Sequence, residues 1–454
     1  MKKNSTQVEN VVPLFDYEQL PVGWEMPTIG DICLKVHKVN PKDKPDTEFN
    51  YIDISGIDNE YFKIASTKHY SGIDAPSRAR QLVHGGDIVF STVRTYLKNF
   101  ARVTHELDGQ IASTGFCVLR AANEELSKYL FYYVQYEKFL NKLAKFQRGT
   151  SYPAVRNNDV LAQFIPVPPK GDAIRIVAEI EKQFSRLDEA VANLKRIKTN
   201  LKRYKAAVLK AAVEGKLTEE WRKQNPDVEP ADKLLERILA ERQEKWQGRG
   251  KYKKPVTPDT TDLPKLPVGW CWASIGQIVE CLDSKRVPIN KKERATRQGQ
   301  TPYYGANGQV GWIDDYLFDE PLILVVEDET FTGRELPFSY KITGKSWVNN
   351  HAHVLKCTDA VNIDFLNNAL CFYPFIPLTT GTTGRKKLTQ RALMGAILRL
   401  PPLEEQQQIV YEVEHRLSII TKAETQIDAN LHRATCLRQS ILKKAFSGKL
   451  VSNR

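Results

Sequence analysis

Apolar residues recur at alternating spacings of three and four along two long polar stretches of the chain. The seam positions of the first stretch are Val177, Ile180, Phe184, Leu187, Val191, Leu194, Lys198, Leu201, Lys205 and Val208. Those of the second are Val410, Val413, Leu417, Ile420, Glu424, Ile427, Leu431, Ala434, Arg438 and Ile441. This heptad spacing predicts two long helices, each with an apolar seam that charged residues interrupt at different places.

The first helix is predicted from about residue 174 to 213, which at about 1.5 Å per residue would make it roughly 60 Å long. Two such helices must bury their seams, and the simplest solution is that the two seams of one chain pair with each other. Parallel and antiparallel pairing both satisfy the pattern. An antiparallel pair would relate its two ends by a pseudo-two-fold axis.

The chain also repeats itself. Leu20–Ile32 reads LPVGWEMPTIGDI and Leu266–Ile278 reads LPVGWCWASIGQI, so that eight of thirteen positions are identical. A Pro-Pro pair precedes each long helix, at Pro168 and Pro401, and a Gly-Lys-Leu run follows each one. Each half therefore has a similar frame around a middle that differs in sequence and size.

The two middles have the pattern of a mixed α/β (α+β) fold, with Gly-rich turns between short strands. The strand candidates are Tyr51–Ser55, Asp87–Ser91, Phe116–Leu119, Leu322–Val326 and His353–Lys356. We expect two pseudo-repeated domains, at residues 1–170 and 262–402, joined by two long helices. The helical segments are 171–261, with a further helix at Ala231–Gln247 and an exposed basic stretch at 249–258, and 403–454.

Composition and charge narrow the function. The chain has a formal net charge of +12 and a pI near 9.1, which favours a polyanionic partner that meets localised basic patches. No apolar run approaches the roughly 20 residues of a membrane-spanning helix, and the first residues are polar, unlike a secretory signal. Seven cysteines without a Cys-x-x-Cys pair fit reduced thiols. We expect a cytoplasmic protein.

The usual catalytic motifs do not occur in the sequence. Gly344-Lys345-Ser346 has the tail of a phosphate-binding loop, but Ser339 stands where the first glycine is required. Glu214-Gly215-Lys216 matches half of a nuclease metal site and is better explained as a helix end closed by glycine. His351 and His353 lie on a predicted strand without a third metal ligand at a suitable spacing. We therefore expect no catalytic residue and no bound metal.

The repeated motifs resemble the specificity subunits of type I restriction-modification enzymes. The resemblance rests on LP-x-GW at the start of each half, on Pro-Pro-x-x-x-Gln-x-x-Ile-Val at the second long helix and on Ala445–Leu450, and it covers nearly the whole chain. The stretches 302–321 and 85–94 are similar to parts of recognition domains in that family. Lys170–Ala173 departs from the pattern seen at Leu403–Gln406, which leaves the start of the first helix open.

The resemblance implies a sequence-specific DNA-recognition subunit without catalysis of its own. Each of two target-recognition domains would read one half of a bipartite site in double-stranded DNA, and the helices would form an antiparallel coiled coil that sets the spacer. Two modification subunits would carry S-adenosylmethionine and methylate adenine, and restriction subunits would use ATP and Mg²⁺. No cofactor is expected on this chain. The sequence does not reveal the half-sites.

Candidate DNA contacts are basic residues near Gly-rich loops, together with polar residues on loop tips. In the first domain they are Arg78, Arg80, Ser91, Thr92, Arg94, Arg148, Gly149, Thr150, Ser151, Tyr152 and Arg156. In the second domain they are Tyr303, Tyr304, Asn307, Gly308, Thr332, Arg334, Asn350, His351, Gly381, Thr382, Thr383, Arg385 and Lys386. The loops 148–152 and 380–386 fall at equivalent places in the repeat. Trp24 and Trp270 are expected to anchor the domain cores.

Other interpretations stay open at this point. The basic run 195–205 would follow the DNA backbone, form a solvated helix face or bind an acidic modification subunit. The whole chain would alternatively be the DNA-reading part of a fused restriction or methylation enzyme, or a coiled-coil scaffold that binds nucleic acid. A scaffold does not explain why the frame repeats while the middles differ.

Overall fold

The structure is a computed structural model that describes residues 12–15, 19–247, 251–329, 331–334, 336–382 and 385–451. The chain divides into two compact units. The first unit is Met1–Arg196 together with Ile427–Arg454, and the second is Ile197–Gln426. Each unit therefore combines one part of the first long helix with one part of the second.

Eleven α-helices occur among the described residues. They are α1 (Glu124–Tyr133), α2 (Glu137–Ala144), α3 (Asn157–Leu161), α4 (Asp172–Val213), α5 (Glu219–Gln224), α6 (Ala231–Glu244), α7 (Ile275–Ile278), α8 (Lys291–Thr296), α9 (Ile363–Leu370), α10 (Gln390–Gly395) and α11 (Leu403–Phe446). The two long helices are α4, with 42 residues, and α11, with 44 residues. The prediction of a long helix after each Pro-Pro pair is confirmed. None of the helices in the described ranges is apolar over a length that would cross a bilayer.

The strands of the first unit form two four-stranded sheets and one hairpin within the described residues. The strands are β1 (Cys33–Leu34), β2 (Glu48–Ile52), β3 (Ile57–Asp58), β4 (Lys63–Ile64), β5 (Lys68–Ser71), β6 (Ala79–Leu82), β7 (Ile88–Ser91), β8 (Phe100–Arg102), β9 (Ile111–Ser113) and β10 (Phe116–Ala121). One sheet has the order β1-β10-β7-β8 and the other has the order β5-β2-β9-β6. Only β2 and β9 pair in parallel among these strands.

The second unit has thirteen strands in its described part. They are β11 (Cys271–Ser274), β12 (Val279–Cys281), β13 (Thr301–Gly305), β14 (Gly308–Ile313), β15 (Phe318–Asp319), β16 (Leu322–Val326), β17 (Asp328–Glu329), β18 (Ser339–Ile342), β19 (Lys345–Val348), β20 (Ala352–Cys357), β21 (Thr380–Thr382), β22 (Arg385–Lys387) and β23 (Ile397–Leu400). The sheets have the orders β12-β20-β16-β18, β14-β13-β19-β15, β17-β22-β21 and β11-β23.

The two units share one sheet topology although their middles differ in sequence. Sheet β1-β10-β7-β8 corresponds strand by strand to β12-β20-β16-β18, and β5-β2-β9-β6 corresponds to β14-β13-β19-β15. The one parallel pair of the first unit, β2 with β9, has its counterpart in β13 with β19. The repeat seen in the frame therefore extends through both middles as a fold.

The long helices lie antiparallel in each unit. In the first unit, Arg438 of α11 forms an ion pair with Asp188 of α4, and its guanidinium carbon lies 4.3 Å from the centre of the Phe184 ring. In the second unit, Arg416 of α11 donates to the hydroxyl of Tyr204 of α4 over 3.4 Å. In the first unit the N-terminal part of α4 thus lies beside the C-terminal part of α11. In the second unit the C-terminal part of α4 lies beside the N-terminal part of α11.

The seam of α4 is buried most fully where it meets a domain core, whereas in α11 Ile420 and Ile427 are also buried near the middle of the helix. Val177, Ile180 and Phe184 belong to the core of the first unit, and Val208 belongs to the core of the second. Lys198, in the middle of the seam, is exposed. Along α4 burial is greatest toward the helix ends because the sheets and short helices of each unit cover them.

The repeated frame closes each unit around a tryptophan. Trp24 is 6% exposed and Trp270 is 8% exposed, which confirms that both anchor cores. A Cβ at Gly448, after α11, would lie 2.3 Å from Cγ of Pro21, and one at Gly215, after α4, would lie 2.9 Å from Cζ2 of Trp270. Both glycines have φ near +70°. Gly215 therefore ends a helix and packs under the frame, as the sequence indicated.

Element boundaries differ from the predictions at several places. The helix α4 begins at Asp172 because Gly171 has φ +90°, whereas α11 begins at Leu403, which aligns with Lys170. The first strand candidate, Tyr51–Ser55, is displaced, since β2 ends at Ile52 and a turn of 3₁₀ helix follows.

The spacer after α4 contains one helix that the sequence did not predict, α5, while α6 begins at Ala231 as predicted. The predicted basic stretch 249–258 is described from Lys251 onward. It is exposed in part, and the carbonyl of Val256 accepts a hydrogen bond from Ser274.

Candidate nucleic-acid interface

In the first unit, the predicted loop 148–152 lies against the residues that follow strand β7. Isolated bridges join Val93 to Ala154 and Arg148 to Ala154. The amide of Arg94 donates to the carbonyl of Pro153 over 2.7 Å, and the amide of Val155 donates to that of Thr92 over 2.9 Å. Two predicted clusters, 91–94 and 148–156, therefore form one continuous rim.

Arg94 is held in an unusual conformation on this rim. Its φ of 48° lies in the left-handed region, which residues other than glycine, asparagine and aspartate seldom adopt. Its guanidinium carbon lies 4.5 Å from the centre of the Tyr152 ring, and Nη2 donates to the carbonyl of Ser151. Tyr152 itself is 69% exposed. An arginine stacked on an exposed tyrosine presents a flat cationic surface of the kind that phosphates and bases contact.

The other first-unit candidates fall into three environments. Arg148 and Arg156 are exposed beside this rim, and Arg148 forms an ion pair with Asp159 at 2.9 Å. Arg78 is exposed, and its backbone carbonyl accepts a hydrogen bond from the amide of Thr114. The neighbouring carbonyl of Gly115 accepts one from the amide of Thr92. Arg80 instead donates to Asn40 over 2.8 Å.

Ser91 and Thr92 lie inside the first unit. They are 2% and 7% exposed, and their hydroxyls donate to the carbonyls of Val93 and Gly115. Their side chains support the rim from below because β7 is an inner strand whose four residues are all buried. The remaining loop residues Gly149, Thr150 and Ser151 are exposed.

In the second unit, the predicted loop is a hairpin made by β21 and β22. The short strand β17 pairs with β22, placing Asp328 opposite Lys387. This hairpin precedes α10 just as the loop 148–152 precedes α3, and β17 follows β16 as Val93 follows β7. The structure therefore places the two predicted loops at equivalent positions. Thr383 lies outside the described residues, as do the side chains of Thr382 and Arg385.

Further second-unit candidates surround this hairpin. Asn350 and His351 are exposed, and the His351 ring lies 2.6 Å from Asp328 of β17. Asn307 is exposed on the turn between β13 and β14, and a Cβ at Gly305 would lie 3.0 Å from Nδ2 of Asn349. The β13–β14 turn and the segment 349–351 are thus neighbours on one side of the unit.

The other second-unit candidates have mixed surroundings. Tyr303 is 1% exposed, and its hydroxyl faces the carbonyl of Ile289, so its ring belongs to the core. Tyr304 is half-buried, Gly308 closes the β13–β14 turn with φ +104°, and Thr332 is exposed. Lys386 is half-buried and Gly381 is exposed on the hairpin. Arg334 donates to the carbonyl of Pro337 and stacks over Phe338.

Sequence reasoning missed a buried charged cluster beneath the hairpin. Asp283, Glu327 and His353 have ligand atoms within 4.8 Å of one another. The His353 ring is 1% exposed, with Nδ1 2.5 Å from Asp283 and Nε2 2.8 Å from the carbonyl of Leu388. Arg286 lies 2.6 Å from Glu327, and Lys387 lies 3.1 Å from it. Only His353 had attracted notice in the sequence, because its partners lie far away along the chain.

The donor set of this cluster does not fit a metal ion. Both ring nitrogens of His353 already face acceptors, and a guanidinium and an ammonium group occupy the space beside Glu327. Burial raises the pKa of the Asp283 carboxyl, but the hydrogen bond and charge of His353 outweigh it and lower that pKa overall. Burial likewise raises the pKa of Glu327, and Arg286, His353 and Lys387 lower it overall. The cluster is an ionic network.

Comparison with known proteins places both halves of the repeat in one group. Residues 21–203 and 267–432 match the profile described as the type I restriction modification DNA specificity domain. The chain is 25% identical over 325 residues to the EcoDI type I restriction enzyme specificity subunit of Escherichia coli, covering 69% of this chain and 68% of that protein.

Two solved structures are similar over nearly the whole chain. The HsdS subunit from Thermoanaerobacter tengcongensis is 28% identical with a TM-score of 0.54, over 95% of this chain and 98% of that chain. A chain from a structure concerned with complex assembly and conformational transition of the type I R-M system is 29% identical. Its TM-score is 0.70, over 95% of this chain and 99% of that one.

Proposed function

Because this chain belongs to the family of type I restriction-modification DNA specificity proteins, we propose that it reads a bipartite DNA target, one half-site with each unit. The observation that carries the proposal is the repeat itself. Two units share one topology and one frame, yet they present loops of different sequence and size at equivalent positions. Unlike loops on like scaffolds suit two unlike half-sites.

The reading surfaces would be the first-unit rim, residues 91–94 with 148–156, and the hairpin of the second unit with its neighbours at 349–351. Both combine exposed or half-buried basic side chains with glycines that let the backbone approach a groove closely. Basic groups such as Arg148 and Lys386 would meet phosphates, and polar tips such as Asn307 and Asn350 would meet base edges.

Two modification subunits would bind the repeated frame, one on each unit. The LP-x-GW turn carries a valine that is fully exposed in the first unit, Val22, and 86% exposed in the second, Val268. An apolar side chain held at the same exposed point of both units suits two copies of one partner. Restriction subunits would join the same assembly, and S-adenosylmethionine, ATP and Mg²⁺ would be bound by the partners.

The first experiment is a methylome of the host by single-molecule sequencing, with the gene intact and deleted. We expect deletion to remove one bipartite methyladenine motif. The sequence of that motif would also identify the two half-sites and the length of the spacer. Exchange of the second middle, residues 279–396, for that of a relative should change one half of the motif only. A change in both halves, or in neither, would contradict the proposal that each unit recognises one half-site.

Binding measurements test the loops directly. Substitution of Arg148 or Lys386 by alanine should weaken binding to all sequences and reduce the slope of log K against log salt by about 0.9 for each phosphate that the variant no longer neutralises. Lys233, an exposed residue of α6 paired with Glu236, provides the matched control. An unchanged salt slope in both loop variants would remove these residues from the interface.

A further inference from the structure

Four chain segments meet at the buried network around His353, and two of them adjoin candidate DNA contacts. These are the turn after β12, the end of β16 leading into β17, the start of β20 after Asn350 and His351, and the end of the hairpin at Lys387 and Leu388. His353 touches two of these segments directly. Its Nδ1 faces Asp283 of the first segment, and its Nε2 faces the carbonyl of Leu388.

Hydrogen bonds and ion pairs join the other segments to the same point. Glu327 bonds both Arg286 and Lys387 through its carboxylate, and its backbone carbonyl accepts the amide of Leu388 over 2.8 Å. Arg286 also donates to the carbonyl of Ala352 over 2.7 Å. The hairpin is therefore fastened to the sheet by the backbone of Leu388, which contacts Glu327 on one side and His353 on the other.

Both ring nitrogens of the His353 imidazole face hydrogen-bond acceptors, one a carboxylate and the other a backbone carbonyl. Burying such a group together with two carboxylates and two cationic side chains seldom adds to stability compared with apolar packing of the same shape. Hydrogen bonds of fixed direction do, however, hold segments in one arrangement, which apolar contacts specify less sharply.

We propose that His353, with Asp283, Glu327 and Arg286, positions the hairpin strands β21 and β22 for recognition of the second half-site. The inference rests on the proposed function. These are positioning residues, since none of them reaches the surface at which DNA would lie. His353 would act through its bond to Leu388, and the ion pairs would hold His353 in place.

The first unit offers an internal control because backbone contacts hold its rim too, but no ion pair with both partners buried lies beside that rim among the described residues. There the loop 148–156 is joined to Val93 and Arg94 by backbone hydrogen bonds and bridges. Its buried ion pair, between Arg120 and Asp87 at 2.7 Å, lies at the other end of β7. A change in the His353 network should therefore alter the reading of one half-site and leave the other unaltered.

The test compares two substitutions of one residue in the full-length chain. His353→Gln keeps a donor near Nε2, which faces Leu388, whereas His353→Asn keeps one near Nδ1, which faces Asp283. The methylome supplies the target. Binding is then measured to the target and to duplexes with a single base-pair change in the first or the second half-site.

The two variants should differ in the second half-site only. We expect His353→Asn to reduce discrimination there about tenfold, the effect of one buried hydrogen bond, and His353→Gln to keep most of it. Discrimination at the first half-site should remain that of the wild type. Equal effects of the two variants, no effect of either, or equal losses at both half-sites would overturn the inference. Failure of the wild type to bind a bipartite site would instead overturn the proposed function.

Hydrogen exchange of the DNA-free protein gives a second readout that needs no target. His353→Asn should speed exchange of the hairpin amides, including Leu388, about tenfold relative to the loop 148–156. If both His353 variants fail to fold, Lys387 takes their place, since its side chain is 55% exposed. Lys387→Gln should then loosen the hairpin, and Lys387→Arg should retain its exchange rates. Unchanged hairpin exchange in Lys387→Gln would contradict the proposal.

Discussion

Glu405 should be far more important for stability than the residue at the equivalent place in the other half of the repeat. Its side chain is 0% exposed and accepts hydrogen bonds from three residues of the second unit. Arg222 donates through Nη2 at 2.7 Å, Thr218 through Oγ1 at 2.6 Å and Trp270 through Nε1 at 2.8 Å. Its counterpart, Asp172, is 36% exposed and pairs only with Arg175, 44% exposed, at 2.9 Å among the bonds described.

The substitution Glu405→Gln keeps the shape of the side chain and removes its charge. It leaves the guanidinium of Arg222, which is 18% exposed, without its counter-ion, and it turns an amide NH₂ group toward other donors. Breaking a buried pair in this way costs about 3–5 kcal/mol. For a unit of this size each kcal/mol lowers the melting temperature by about 2–4 °C, so we expect a fall of at least about 6 °C.

Calorimetry of the full-length protein is the assay. The transition of the second unit should move in Glu405→Gln, while the matched Asp172→Asn should stay within about 2 °C of the wild type, because substitutions at exposed sites cost little. Adding Arg222→Met to Glu405→Gln should recover part of the loss, since no buried charge is then left unpaired. Equal shifts for Glu405→Gln and Asp172→Asn would refute the reasoning.

Three further outcomes follow from features described above. The lowered pKa values of Asp283 and Glu327 mean that their stabilisation is complete above the ordinary values of 3.8 and 4.5 and is lost as the pH falls through the lower folded values. The urea concentration at the midpoint of unfolding should therefore decrease as the pH is lowered below about 4. This decrease should be smaller in Asp283→Asn. Of the seven cysteines only Cys436 is exposed, so one thiol should react rapidly with a disulfide reagent in the native protein, and none in Cys436→Ser. Inserting seven residues after Lys198 and seven after Glu424 should lengthen the DNA spacer by about three base pairs, at about 1.5 Å per residue and 3.4 Å per base pair. An unchanged spacer would contradict the proposal that the length of the two helices sets the spacer.

The long helices could be predicted well because their signal is local and periodic. Spacings of three and four mark a buried face wherever the helix lies in the fold, and the glycines after α4 and α11 mark their ends. The start of α4 was the weaker point, since a glycine with positive φ at residue 171 delays the helix there.

The shared strand order of the two middles could not be predicted from the sequence. Strand pairing joins residues far apart, such as Leu324 with Val354, and the two units achieve the same strand order with unrelated residues. The loops before α3 and α10 were predicted because their position relative to the Pro-Pro pair is fixed by the frame. Ser91 was named as a candidate contact at the end of a predicted strand, and it is buried because that strand lies inside its sheet.

The ionic network could not be predicted from the sequence, for the same reason as the order of the strands in the sheets. Its members, from Asp283 to Lys387, are separated by whole strands, and each one alone has the pattern of an ordinary surface residue. His353 was considered as a metal ligand and set aside, because no third ligand follows it at a suitable spacing. The partners that determine its chemistry come from three other segments.

The way the chain closes has a consequence for its synthesis. The first unit contains Trp24 and the early sheets, yet its core also includes Leu442 and Phe446, and Gly448 packs beside Pro21. A ribosome makes these pieces at widely separated times, with the whole second unit between them. Once residue 426 has left the ribosome, the second unit has all of its residues, whereas the first still lacks part of its core. The domain begun first is thus the last that can be finished.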